Sequence, residues 1–432
     1  MKPTPKLLLA CLIAMAMAIA GCTTDEPAEE SGDAGEDAAA TEAADEEPAD
    51  EEPADEEPAA TEGGEEAAEG GAEEGEFFVR EDYERQLAQR DVEPEGDPAE
   101  PWLQAIDPEM VDTSEYAVEE DGQTLCFSNA SISNPWRVTG WITMQQQVEV
   151  FQESGEIGEF RVADAADDDN QQISDIQSFI DSGDCGAIII SPSTTATLTP
   201  IVEEACASGV PVIVFDRGVN TDCMVTFIHP IGGYAYGADG AEFLVENLEE
   251  GDTVLALRIL PGVDVLENRW AAAQEIFADS GLEVLGDEFT GGDAAQIKDI
   301  VTQYLQRGDV DGIWMDAGDG SVAALEAFED AGVDYPVMVG EDEMSFLRKW
   351  EETGITAIAP VYSNFQWRTP VIAAVRIWDG EEVPSEWVLP QEPITEDQLG
   401  EFLEANADMP SLHYAKFGGE DLPGFPEAWT DR

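Results

Sequence analysis

Positive charge is scarce in this chain: 18 Lys and Arg stand against 96 Asp and Glu in 432 residues, for a formal net charge of -78. Nucleic acid is thereby excluded as a partner, because neutralising phosphates requires a basic footprint. Histidine occurs only at His229 and His413, and no Cys-x-x-Cys is present, so zinc and dithiol redox chemistry lack recognisable ligand spacing. There is no Gly-x-Gly-x-x-Gly turn, no Walker loop and no Gly-x-Ser-x-Gly elbow. The sequence therefore predicts no cofactor and a binding protein rather than an enzyme. Beyond residue 20 no apolar stretch approaches the ~18 to 20 residues needed to cross a bilayer.

What is present begins with an export signal. Lys2 and Lys6 precede an apolar run from Leu7 to Ala20, followed by Gly21 and Cys22. That is the charged, apolar, small-residue order of a secretory signal over 1–21. Ile19-Ala20-Gly21-Cys22 resembles a bacterial lipobox, which implies that Cys22 is lipidated and that lipid is the only membrane attachment. In residues 23–76, 24 of 54 positions are acidic and none is basic, and Asp-Glu-Glu-Pro-Ala repeats from Asp45, Asp50 and Asp55. Such a segment cannot build a core, so residues 22–76 are expected to form a solvated tether. The acid excess continues beyond it. A surface this one-sided repels itself in dilute buffer and is screened by salt, which points to a saline environment.

Four further cysteines, Cys126, Cys185, Cys206 and Cys223, make an even set outside the cytoplasm and predict one or two disulfides, with three complete pairings open. From Gly122 short apolar runs predict strands near 124–129, 158–164, 186–191, 211–215, 225–229, 253–259, 283–289, 312–316, 336–341 and 356–361. Helical stretches are predicted at 136–153, 171–182, 197–208, 233–249, 265–280, 293–307, 318–331 and 363–379. This alternation predicts an α/β fold, and the number of units suits two Rossmann-like lobes with parallel sheets. The cleft between such lobes collects strand C-termini and helix N-termini, a natural ligand site. Residues 77–121 are expected to begin with an extra helix and continue irregularly. An acidic helix is expected near 395–405.

Scarcity makes the basic residues informative. Arg137 follows Ser133-Asn134-Pro135-Trp136, Arg217 ends Phe215-Asp216-Arg217, and Arg269 opens the helix after Pro261-Gly262. All three sit beyond strand ends or at helix starts. Asp216 can accept from paired hydroxyls while Arg217 and Arg269 donate to hydroxyl or ring oxygens, and Trp136 offers a stacking face with Asn134 at its edge. That chemistry fits a polyol. Asp316, Asp319 and Asp342 follow strands, but in so acidic a chain each can equally be a turn or cap residue.

These motifs, in order, resemble the ribose/galactose-type periplasmic sugar-binding proteins of ABC importers. The resemblance rests on Phe127-Ser128-Asn129 with Ser133 to Arg137, Ile188-Ile189-Ile190-Ser191-Pro192, Pro211 to Arg217, the Arg269 helix, the Asp316 to Asp319 turn and Val339-Gly340-Glu341-Asp342. It implies a type I two-lobed fold with a three-stranded hinge. Residues 77–121 would be an N-terminal extension, 122–229 lobe 1, 230–357 lobe 2, 358–382 a return to lobe 1, and 383–432 a C-terminal extension packed on the lobes. Asn134, Trp136, Asp216, Arg217, Arg269 and Asp342 match the family's ligand-contacting positions. Two departures stand out: Ala317 and Pro360 occupy positions where ribose binders commonly carry Asn and Gln, with Asp316 and Asp319 as candidate substitutes for the first and Tyr362 or Ser363 for the second. The implied function is capture of a monosaccharide or sugar alcohol by a monomer that delivers it to the transmembrane subunits of an ABC permease. Presentation of the closed form to a membrane receptor kinase is the alternative.

Overall fold

The unbroken apolar runs at 187–191 and 212–215 call for strands covered on both faces. The computed structural model, which describes residues 75, 77–318 and 320–431, places both in the interior of a parallel sheet. Residues 1–74, with the expected export signal, Cys22 and most of the acidic segment, lie outside the described residues, as does Asp319.

The chain opens with α1 (Arg80–Gln89) and the short β1 (Met110–Val111), then alternates through lobe 1. There β2 (Gln123–Asn129), α2 (Pro135–Ser154), β3 (Ile157–Asp164), α3 (Asp169–Ser182), β4 (Ala187–Ser191), α4 (Thr195–Ala207), β5 (Val212–Phe215) and β6 (Thr226–Pro230) follow one another. Lobe 2 holds α5 (Gly233–Asn247), β7 (Thr253–Arg258), α6 (Asp264–Ala278), β8 (Glu283–Phe289), α7 (Ala294–Leu305), β9 (Gly312–Met315), α8 (Ser321–Ala331), β10 (Val337–Val339), α9 (Met344–Thr353) and β11 (Ala357–Ile358). The chain then returns through α10 (Thr369–Trp378), β12 (Val383–Pro384) and β13 (Glu386–Leu389), and ends with α11 (Glu396–Ala405) and α12 (Glu427–Thr430). The six-stranded sheet runs β13-β6-β5-β4-β2-β3 and the five-stranded sheet β11-β10-β9-β7-β8, every pair parallel.

Period-two alternation sorts the first sheet's side chains onto two faces. Leu125, Phe127, Ile189, Ile213 and Phe215 pack with residues of α2 and α10, whereas Ile188, Ile190, Val212 and Val214 pack with residues of α3 and α4. Close helix packing rests on glycine. A Cβ at Gly237 would lie 1.9 Å from the Arg269 carbonyl oxygen, and one at Gly140 would lie 2.2 Å from the Trp367 ring. Cys126 pairs with Cys185 and Cys206 with Cys223, both in lobe 1, cross-links that restrict the unfolded chain.

Three segments connect the lobes: β6 to α5, β11 to the turn Asn364–Trp367, and β13 to α11. They are tied to one another. Ala359 and Ile394 form an isolated antiparallel bridge, and the Gln391 amide bonds both the N–H (2.8 Å) and the carbonyl (3.1 Å) of Gly232.

Four features differ from the sequence expectation. The helix expected over 363–379 is split into a 3-10 turn and α10, with Pro370 in the first turn of α10, where its missing N–H costs nothing. Helix α9 goes unpredicted because Trp350 and its apolar neighbours sit among charges. The strands expected at 336–341 and 356–361 shorten to β10 and β11. Finally, residues 383–432 are more than a covering: β13 is the edge strand of the first sheet, its Trp387 and Leu389 fully buried beside β6.

The rest of the tail joins both lobes. Phe417 and Trp429 are buried in the lobe 2 core, while Arg368 at the head of α10 donates to the Gly418 carbonyl (2.7 Å) and pairs with Asp421 (2.7 Å). Trp429→Ala is expected to cost about 3–5 kcal/mol in urea-unfolding experiments, as for a large core side chain. A loss below ~1 kcal/mol would show that the tail is not part of the core.

Candidate functional site

At the C-terminal ends of the first sheet, the turn after β5 carries Asp216 with φ of 70°, a left-handed backbone unusual for a residue with a side chain. This turn presents the Asp216 carboxylate to Arg137, with Nη2 to Oδ2 at 2.8 Å and both side chains only 4% exposed. Arg137 is delivered by the start of α2. Asn134 caps that helix, its Oδ1 accepting from the Arg137 N–H at 2.9 Å, and Pro135 pre-sets the first turn. Trp136 is held between elements: its Nε1 donates to the Tyr362 carbonyl (2.7 Å) and its carbonyl accepts from Asn364 (2.7 Å). Tyr362, on the second crossing, donates from its hydroxyl to the Asp216 carbonyl (2.9 Å). Burial pushes the Tyr362 phenol well above its ordinary value, with the Asp216 charge adding to the shift, so it is a neutral donor.

Lobe 2 supplies Arg269 from α6. Its guanidinium lies 3.8 Å from the Tyr236 ring centre and 4.9 Å from that of Tyr362, and Nη1 donates to the Asp316 carbonyl. Arg217 donates to the Ser193 carbonyl at 2.7 Å. Removal from water, then the neighbouring Arg137 charge, pushes the Arg217 guanidinium down to about 10, which leaves it charged at neutral pH.

These side chains enclose a chamber of about 100 Å³ between the lobes. Asn134, Trp136, Arg137, Asp216, Arg217, Arg269 and Tyr362 line it. Asp316 and Asp342 do not. Asp316 lies behind Arg269 with Oδ1 accepting from the Ile259 N–H (2.9 Å), and Asp342 Oδ2 accepts from the Lys416 N–H (2.7 Å) of the C-terminal tail. The chamber also receives Glu341 and Tyr414, which the sequence did not single out. Glu341 stands one residue before a recognised position and was legible in principle, whereas Tyr414 sits in a tail with no periodic pattern. Buried polar atoms without a protein partner gather here: Arg137 Nη1 and Arg269 Nε as donors, with Asp316 Oδ2 and Asp342 Oδ1 on the supporting carboxylates. Donors from both lobes beside aromatic rings can grip a compact neutral molecule rich in hydroxyls.

The two supporting carboxyls titrate abnormally. Burial pushes Asp316 up to about 7, opposed by Arg269, and pushes Asp342 up to about 6, opposed by the Lys416 N–H. Because the folded values exceed the ordinary carboxylate value of about 3.9, the stability these groups confer is complete below about pH 4 and is lost as pH rises through 6 to 7. Asp316→Asn should therefore flatten the fall in melting temperature of the ligand-free protein between pH 5 and 8. An unaltered slope would contradict the assignment.

Residues 125–382 match the family model described as a periplasmic binding protein domain. The ribose import binding protein of Bacillus subtilis (strain 168) is 24% identical over 262 residues, which span 60% of this chain and 83% of that protein. An ABC transporter solute binding protein from Thermobispora bispora DSM 43833 superposes with a TM-score of 0.61 at 20% identity, over 70% of this chain and 95% of that one. A solute binding protein from Bacillus halodurans C-125, solved with bound myo-inositol, gives 0.59 at 20% identity over 66% and 99%. The structural likenesses establish the fold, that of type I periplasmic binding proteins, and the family is a non-catalytic class associated with transport. This chain belongs to the periplasmic binding protein domain family.

Proposed function

We propose that this protein is an extracytoplasmic solute-binding lipoprotein that captures a monosaccharide or sugar alcohol in the interlobe chamber and delivers it to an ABC permease. The observation that carries this reading is the convergence of Arg137, Asp216 and Arg217 from one lobe and Arg269 from the other on a single chamber that also holds Trp136 and Tyr362. A paired carboxylate accepts from vicinal hydroxyls, guanidinium groups donate to hydroxyl and ring oxygens, and an indole covers an apolar sugar face. The ribose import function of the Bacillus subtilis relative and the myo-inositol in the Bacillus halodurans structure belong to the same chemical class. Asn134, Trp136, Asp216, Arg217, Arg269 and Tyr362 are assigned to ligand contact. Asp316 and Asp342 are assigned to positioning, behind Arg269 and beside the tail.

Ligand contacts made by both lobes at once favour the closed arrangement by differential affinity, and the closed form is the one a permease pair would recognise. The protein acts as a monomer held by lipid on Cys22, with residues 22–76 as its reach. Mass spectrometry of the N-terminal peptide would show a diacylated Cys22; an unmodified residue would contradict the anchor.

Calorimetric titration with pentoses, hexoses and inositols should find one narrow class that binds. Arg217→Ala and Arg269→Ala should each weaken that binding by about 1.5–3 kcal/mol, roughly 10- to 150-fold, the range for hydrogen bonds to charged groups. Unchanged affinity in folded variants would remove these residues from the site.

A further inference from the structure

The ligand chamber does not end at the residues assigned above. A second cavity of about 280 Å³ adjoins it, and the two share Asp216, Arg217, Val263, Val265 and Tyr362 as common walls. The inner chamber alone, about 100 Å³, falls below the ~300 Å³ typical of small-molecule sites, and only the two together reach that range. The outer chamber's far wall is built by this chain's N-terminal extension: Asp82, Arg85 and Gln86 of α1 face it.

The outer walls repeat the chemistry of the inner ones. Phe227 and His229 form an aromatic pair, with ring centres 4.3 Å apart. Asn220 supplies an exposed amide whose side chain has no hydrogen-bond partner among the described residues, and Arg217 uses one N–H on the Ser193 carbonyl, leaving further donors. The remaining charges are acidic on balance: Arg85 pairs with both Asp82 (3.1 Å) and Glu386 (3.3 Å), His229 Nε2 lies 3.1 Å from Glu386, and Asp264 lines the chamber with no ion pair among the described residues. A compartment with an aromatic face, free amide and guanidinium donors and an acidic balance that disfavours anions fits a neutral polar ring, whose hydroxyls can also donate to Asp264.

Resting on the sugar-binding reading, we propose that the natural ligand is a two-ring sugar, a disaccharide or glycosylated polyol, with one ring in the inner chamber and the second against Phe227 in the outer chamber. The N-terminal extension then selects by length, since α1 limits how far the ligand extends.

Matched pairs separate this from the simpler reading: galactose with melibiose, arabinose with arabinobiose, and myo-inositol with galactinol, titrated calorimetrically against the full chain. In one pair the two-ring member should bind at least about tenfold more tightly than its parent. Asn220→Trp, which fills the outer chamber from an exposed loop, should abolish that gain and leave the parent's affinity unchanged. Phe227→Ala should reproduce the split if the first variant folds poorly. A parent that binds as tightly as its two-ring partner, or a gain that survives both substitutions, overturns the outer-chamber proposal and leaves the monosaccharide reading in place. No binding by any member overturns both.

Discussion

The buried ion pair between Arg137 and Asp216 is the interaction on which the site's arrangement depends. Withdrawing two charges from water is costly, and a pair of this kind contributes little net stability, yet removing one partner strands the other at about 3–5 kcal/mol. What the pair fixes is position. Asp216 occupies a left-handed backbone at the end of β5, Arg137 the first turn of α2, and Tyr362 closes the circuit by donating to the Asp216 carbonyl while its own carbonyl accepts from Trp136. One short loop of contacts thereby sets the ends of a strand, a helix and a lobe crossing around the chamber.

The opposing wall is assembled differently. Arg269 is held by the Tyr236 and Tyr362 ring faces and by the Asp316 carbonyl, and the contact of α5 with α6 that brings it there requires the missing side chain at Gly237. Asp342, a ligand position by family resemblance, instead accepts from the Lys416 N–H, and the same tail brings Tyr414 to the chamber. The two extensions are thus part of the site's surroundings: α1 at the outer chamber, the tail at the inner one.

Much of this was legible in the sequence. Parallel strands buried on both faces leave apolar runs such as Ala187-Ile188-Ile189-Ile190 that need no partner to be recognised, and three of the helices between them, α2, α3 and α7, carry their own side-chain caps. The arginines were legible for the opposite reason: in so acidic a chain a basic residue beyond a strand end stands out. Asp342 shows where this fails. Its type and place after β10 were visible, but its hydrogen-bond partner lies 74 residues away in a tail without periodic pattern. Strand β13 was obscured similarly, because Trp387-Val388-Leu389 becomes a sheet edge only once β6 is beside it. The disulfide partners were also set by three-dimensional proximity, which four cysteines in sequence do not encode.

The central claim is that the interlobe chamber holds a sugar, and a crystal structure grown with a saturating concentration of the best-binding sugar tests it most directly. The account predicts a sugar ring against Trp136, with its oxygens within hydrogen-bond distance of Asp216, Arg217 and Arg269. A sugar bound elsewhere on the molecule, with none between the lobes at saturation, would contradict it.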